Sequence, residues 1–344
     1  MSNKSMRDRI SIITIGLSPA WDIICRGRNI DWGLHQQIDE QTVRPAGKAI
    51  NVSKALAWMG HRNIAAGLWG SDDHPQMLAA VRSLWPSIRV KLTAVAGRTR
   101  QNITVVDSAK NKEMHLRNKS RLASAKTLKK LQADLEKIVQ SGSVCVFAGT
   151  MPDGRLLGDV VRFVELCKSR GAKIVLDTSG HHLKEIVDTG SVWLIKPNVE
   201  ELSELLGEQV KDGPVSLVKA GRKLLDKVEM VLISRGAKGG VVVTKNGAWH
   251  GRCASRAKIF STVGCGDFLL AGFLKALEDV SGTGLSTENS DKSRHGKSLG
   301  LDGVKNLAAG SARDKSSRRA GIAKGFEPRL AQTRHIHPTT SIRL

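Results

Sequence analysis

The chain's densest concentration of chemistry is Ser261-Thr262-Val263-Gly264-Cys265-Gly266-Asp267, two glycines and a carboxylate set against the apolar run Phe268 to Leu277. Glycines at 264 and 266 allow a tight turn and close approach of the backbone to a ligand, and the run after them reads as a buried helix beginning near Asp267. The unpaired N–H groups of a first helical turn, with the positive end of the helix dipole, favour an anion such as a transferring phosphoryl group. Beside such an anion, Asp267 has the chemistry to take a proton from an attacking hydroxyl. An Asp after a glycine turn is equally an ordinary N-cap, and the heptapeptide by itself leaves both roles open.

Three further clusters carry polar chemistry. Asp22 follows the strand-like run Ile10 to Gly16 and Pro19-Ala20-Trp21; it could accept hydrogen bonds from sugar hydroxyls or simply close a turn. In Pro45 to Gly60, a turn at Gly47 opens a helix whose Ile50, Leu56, Ala57 and Met59 can face a core, and Gly60 suits its end. Gly47-Lys48 lacks the GxxxxGK[ST] spacing of a Walker A loop. Arg100, in Arg98-Thr99-Arg100-Gln101-Asn102, could grip a phosphate bidentately; the segment alone favours an exposed edge-strand charge.

The elements that must position these groups are read from periodicity. From Ser124 the chain alternates helices (124–140, 156–169, 183–187, 199–206, 215–225) with strands (144–148, 173–177, 192–195, 230–233). That alternation implies right-handed βαβ crossovers and an α/β fold: a doubly wound, mostly parallel sheet flanked by helices. Strands ending in Gly149 to Pro152, Asp177 to Gly180, Lys196-Pro197-Asn198 and Ser234-Arg235-Gly236 put four polar clusters along one edge, where ligands bind in such sheets. Before this region lie a helix at 75–84, a strand at 63–70 and β-like alternation at 88–92, 101–107 and 113–116; after it, Lys245-Asn246-Gly247 marks a hairpin turn.

The chain has 344 residues and a net charge of +22, enough length for a large core and enough charge to raise nucleic acid as a partner. The distribution argues instead for a solvated surface and anionic small molecules. Residues 281–344 hold 12 Lys or Arg against 5 Asp or Glu in a Gly- and Ser-rich context, and there is no Tyr, RNP motif or zinc-finger spacing. Five scattered cysteines without a CxxC pair fit a reducing, cytoplasmic location. No window approaches the length of apolar residues a membrane span needs, and the run from Ile10 reads as a first strand, not a signal peptide.

Taken in order, these landmarks resemble the ribokinase/phosphofructokinase-B sugar kinase family over about residues 10 to 313, closest to its 1-phosphofructokinase, 6-phosphofructokinase II and tagatose-6-phosphate kinase branch. Pro45 to Gly60 resembles the first signature of that family, and Ser261 to Asp267 its GAGD motif with Cys265 in the alanine place. The resemblance implies an ATP- and Mg²⁺-dependent kinase of a phosphorylated hexose with a small β-sheet lid, formed by strands around 23–43 and 88–117, that also serves as a homodimer surface. It implies Asp267 as general base and the amides of Gly264, Cys265 and Gly266 as an anion hole. Asp22, Gly47, Lys48 and Asn51 would hold the sugar, and Arg100 the phosphate on it. Lys196, Asn198, Ser234, Gly236 and Gly239 would lie along ATP, with Asn198 and Glu201 organising Mg²⁺ through water. The family's GGKG appears as Ala46-Gly47-Lys48-Ala49, and its second lid arginine falls in Met114 to Lys119, leaving His115 and Arg117 as candidates. His35 stands where relatives often carry Lys or Arg. A polar insertion at 281–300 precedes a late helix at 301–312, and 314–344 reads as a basic, disordered tail. The alternatives are a kinase of an unphosphorylated sugar or nucleoside, and a non-catalytic sugar-phosphate-binding regulator; retention of Asp267, Asn198 and Glu201 speaks against the latter.

Overall fold

The computed structural model of the chain describes residues 11–252 and 264–282, together with the pair 342–343. The first half contains β1 (Ile12–Gly16), β2 (Ala20–Gly27), β3 (Glu40–Ala46), α1 (Lys48–Trp58), β4 (Asn63–Gly70), α2 (His74–Leu84), β5 (Ile88–Val95), β6 (Arg100–Asp107) and β7 (Lys112–Arg117). There follow α3 (Ala125–Glu136), β8 (Val144–Ala148), α4 (Leu157–Ser169), β9 (Lys173–Asp177), α5 (His181–Asp188), β10 (Val192–Ile195), α6 (Val199–Leu206) and α7 (Pro214–Arg222). The last are β11 (Val228–Ser234), β12 (Gly240–Thr244), β13 (Gly247–Gly251), α8 (Cys265–Gly282) and β14 (Ile342–Arg343).

Ten strands form one sheet in the order β14-β13-β12-β11-β10-β9-β8-β1-β4-β5. From β5 to β11 the neighbours are parallel; β12, β13 and β14 add an antiparallel edge. β1 and β8 are buried along their whole length, as a sheet covered on both faces requires. Alternate residues serve different layers. Ile12, Val144 and Val146 pack with Val52 and Leu56 of α1 and Leu270, Ala271 and Leu274 of α8. Ile13, Ile15, Cys145 and Phe147 face the other way, toward apolar residues of α3 to α7. A buried hydrogen bond of 2.6 Å between Thr14 Oγ1 and Ser53 Oγ ties α1 to β1. Among the described residues, no helix is long and apolar enough to cross a membrane.

A second sheet, β3-β2-β6-β7, rises from the C-terminal edge of the first as the lid. Its composition corrects the expected boundaries. β5 lies in the large sheet, paired with β4 through all eight residues from Asn63↔Ile88 to Gly70↔Val95, so the lid comprises 20–27, 40–46, 100–107 and 112–117. The physical reason is burial: Ile88 and Leu92 pack against Met77 and Val81 of α2, closing a βαβ unit that leaves this strand no freedom to join the lid. Register places Asp22, Arg44, Asn102 and Arg117 on one lid face, since Asp22 pairs with Arg44 and Asn102, and Asn102 with Arg117. Val43, Met114 and Leu116 alternate to the opposite face and are exposed.

The expected insertion at 281–300, late helix at 301–312 and most of the basic tail fall outside the described residues. α8 nevertheless continues through Gly282, two residues into that insertion. The tail's Ile342 and Arg343 pair with His250 and Trp249, so its end joins the sheet where a free terminus was expected.

Candidate active site

Two helix N-termini meet at the edge where the parallel strands end. α8 starts at Cys265, which makes Asp267 a first-turn residue and removes the N-cap alternative. Phe268 N–H donates to Gly264 O at 2.9 Å; the amides of Cys265, Gly266 and Asp267 precede the helical ladder. α1 begins after Gly47, which supplies no side-chain cap. Gly47 has φ 108°, and a Cβ there would stand 3.3 Å from Pro19 Cα, so only glycine starts the helix in this place. Ser261, Thr262 and Val263 lie outside the described residues.

Asp267 is 5% exposed, and its carboxylate feels the charges of a cluster centred on Asp177. Asp177 Oδ1 accepts from Lys48 Nζ at 2.9 Å and lies 3.2 Å from Lys196 Nζ. Lys196 Nζ also lies 3.4 Å from where a Cβ on Gly266 would sit, which places its ammonium against the first turn of α8. Burial pushes the Asp267 carboxyl up to about 6, with Asp177 adding to the rise; the Asn51 hydrogen bond, Lys48 and Lys196 oppose it. Burial pulls the Lys48 ammonium down, but Asp177, Glu201 and Asp267 outweigh it and raise its pKa. The result is a carboxylate poised near neutrality beside two lysines and the first-turn amides of α8, chemistry suited to accepting a proton next to a phosphoryl group. Asp177 was missed as a site residue. Its only signal in the sequence was the polar end of a buried strand.

Across the cleft, Asp22 Oδ1 accepts from Asn102 Nδ2 at 2.9 Å on the lid. Arg100 is part-buried and donates to three backbone carbonyls: Nε to Pro19 at 3.2 Å, Nη2 to Ser18 at 3.1 Å and Nη1 to Asn118 at 2.8 Å. It is therefore an anchored staple at the lid base, not the free edge-strand charge that its segment suggested. Burial lowers its pKa, the positive charge of Arg117 lowers it further, and Asp22 opposes both. Arg117, and not His115, thus stands beside Arg100. His115 is turned to Thr104 Oγ1 at 3.2 Å and Glu113 at 3.4 Å. Two guanidiniums close enough to repel each other form a natural anion site.

On the nucleotide side, Asn198 Oδ1 accepts from the Glu201 N–H at 2.7 Å and Glu201 Oε2 from the Asn198 N–H at 2.9 Å, a capping box for α6. Among the described residues, no group of three His, Cys, Asp or Glu side chains could cage a metal ion. One amide and one carboxylate would suit Mg²⁺ held through its water shell rather than by direct protein ligands. Ser234 is bridged to Asn198 next to this cap. The following loop is drawn together by Asp212, which lies 2.6 Å from both Arg235 Nε and Lys238 Nζ. Gly236 has φ 55° within this loop. Gly239 has a reason of its own to be glycine: a Cβ would fall 2.0 Å from Gly251 O.

A parallel sheet whose strand ends meet a four-stranded lid over a glycine-turn helix defines a ribokinase-like α/β kinase. The chain belongs to the pfkB family of carbohydrate kinases, which it matches over residues 11–292. It is accordingly a phosphotransferase with an alcohol group as acceptor. It is similar to a 1-phosphofructokinase of Vibrio cholerae serotype O1, 26% identical over 261 residues that cover 76% of this chain and 81% of that one. A 1-phosphofructokinase of Haemophilus influenzae is 27% identical over 271 residues, 78% of this chain and 84% of the relative. In fold it matches Escherichia coli phosphofructokinase-2 in complex with fructose-6-phosphate, with a TM-score of 0.72 at 22% identity over 78% of this chain and 88% of that one.

Proposed function

We propose that the chain transfers the γ-phosphoryl group of ATP to a hydroxyl of a hexose that already carries a phosphate, of the fructose 1-phosphate, fructose 6-phosphate or tagatose 6-phosphate class. The observation that carries this is the Arg100–Arg117 pair on the lid, on the same face as Asp22 and Asn102. A plain sugar gives two adjacent guanidiniums nothing to neutralise.

Asp22, Asn51 and Asn102 take the sugar hydroxyls, with Gly47 allowing close approach and Arg100 and Arg117 gripping the substrate phosphate. Asp267 accepts the proton of the attacking hydroxyl, most readily above its pKa of about 6. The amides of Gly264, Cys265 and Gly266 receive the transferring group, and Lys48 and Lys196 offset its charge. ATP lies along Lys196, Asn198, Ser234, Gly236 and Gly239. Asn198 and Glu201 would hold Mg²⁺ through water, and the ion would supply charge neutralisation during transfer. The exposed Val43, Met114 and Leu116 on the outer lid face support a homodimer formed through the lid. The four described cysteines form no disulfide among the described residues, which fits a cytoplasmic location.

An ADP-release screen over phosphorylated and plain sugars tests the reading. Turnover with a phosphohexose at least about a hundredfold more efficient than with the plain sugar is expected, given charge-assisted hydrogen bonds of about 1.5–3 kcal/mol each. Preference for a plain sugar or a nucleoside would replace the acceptor class, and binding without turnover would make the protein a regulator.

A further inference from the structure

Asn51 sits on α1 between two charged groups. Its side chain hydrogen-bonds to Asp267, and its Oδ1 accepts from Lys54 Nζ, one turn further along the helix, at 3.3 Å. An ionised carboxylate can only accept, so Asn51 must present Nδ2 to Asp267; its Oδ1 is then left for a donor. Lys54 is that donor. Its ammonium is steadied over the Trp85 ring, 4.9 Å from the centroid. We propose that Lys54 is a positioning residue for phosphoryl transfer: it fixes the Asn51 amide in the one orientation that donates to Asp267. The proposal rests on the reading of Asp267 as the base.

The charged groups facing Lys54 are Asp22 from β2, Arg44 from β3 and Asp267 from α8; those facing Asp267 are Asp177, Lys48 and Lys196. Burial pulls the Lys54 ammonium down to about 8, Asp22 and Asp267 working against the fall and Arg44 with it. A neutral amine donates more weakly than an ammonium and can also accept, so above that pH Asp267 alone holds the amide and the second restraint on its geometry is lost. Full activity thus needs Asp267 ionised and Lys54 charged, which bounds it from both sides.

The test uses the full chain at saturating Mg·ATP, with the best acceptor from the sugar screen, and follows kcat against pH. The wild type should show an acid limb near 6 and a basic limb near 8. Lys54→Met should lose about tenfold in kcat, move the acid limb up by about half a unit or more, and drop the limb near 8, while KM for ATP stays within about twofold. Lys54→Arg should recover most of the turnover and also lack that limb, because a guanidinium does not titrate there. Should the Met variant not fold, Lys54→Gln takes its place. An unmoved acid limb in the uncharged variant, or a limb near 8 surviving in Lys54→Arg, would overturn the inference. Asp267→Asn separates the two readings. Near-normal turnover there sinks the base itself, whereas an inactive Asp267→Asn with Lys54 variants of wild-type pH profile sinks only the role of Lys54.

Discussion

At the scale of single residues, the central fact is a carboxylate held where its charge is costly. Asp267 titrates near 6 in the folded chain against an ordinary value of 3.8, so the folded state binds its proton more tightly than the unfolded state. Below about pH 4 both states are protonated and the burial costs nothing. As pH rises through 6 the folded state must carry the buried charge, and about 3 kcal/mol of stability is lost at about 1.4 kcal/mol per pKa unit. Asp267→Asn should therefore exceed the wild type in urea unfolding at pH 7 to 8, with the difference vanishing near pH 4. The same variant should lose turnover by roughly a hundredfold to ten-thousandfold while keeping ATP affinity, which calorimetry would measure. A second residue-scale prediction concerns the acceptor phosphate. Arg100 holds three backbone carbonyls, so its removal would loosen the lid as well as the clamp; Arg117 is exposed and gives the cleaner experiment. Arg117→Ala should raise KM for the phosphohexose at least about tenfold, with KM for ATP and the melting temperature little changed.

At the scale of elements, the proposed catalysis depends on where the N-termini of α1 and α8 are aimed. Both helices share one apolar seam, and α1 carries Lys48, Asn51 and Lys54 into the site. The seam sets the angle; Gly47 sets the starting point. Gly47→Ala should cost about 1–2 kcal/mol for a left-handed L-residue and, by pushing the helix start off Pro19, more than about tenfold in kcat/KM. Gly60, just past the other end of α1, has φ 77° with nothing within 4 Å of its Cβ position. Gly60→Ala should show a comparable stability loss with turnover intact. Equal activity in the two variants would mean that the helix start does not aim the site.

For the whole molecule, the lid and the large sheet are held by separate ladders, and the proposed substrate pocket lies between them. The basic C-terminal stretch belongs to neither set of site residues. Truncation after Arg313 should leave kcat within about twofold and lower the melting temperature slightly, since only the short pairing of β14 with β13 is removed from the described structure. A truncated chain that folds but has lost all activity would contradict this.

Local physics was enough for much of this architecture. The buried run Val192–Ile195 forms its strand as read, Val199–Leu206 its helix, and Asn198 with Glu201 the cap that such spacing favours, because each depends on neighbours within a few residues. The glycine turn before Asp267 likewise marked a helix start, although not that Asp267 lies inside the first turn. Long-range register decided the rest. Alternation at 88–95 is the same whichever sheet the strand joins, and only the packing of α2 assigned it to the large one. Two carbonyls before β2 and one after β7 turned Arg100 into a staple, and cross-strand pairing put Arg117 rather than His115 beside it. Asp177 joins a lysine 129 residues before it to another just past the end of the next strand, and that union exists only because the fold brings the start of α1 and the ends of β9 and β10 together. Whether Asp267 is a base near neutrality is set by the charges and burial that the fold gathers around it, none of which stands next to it in the chain.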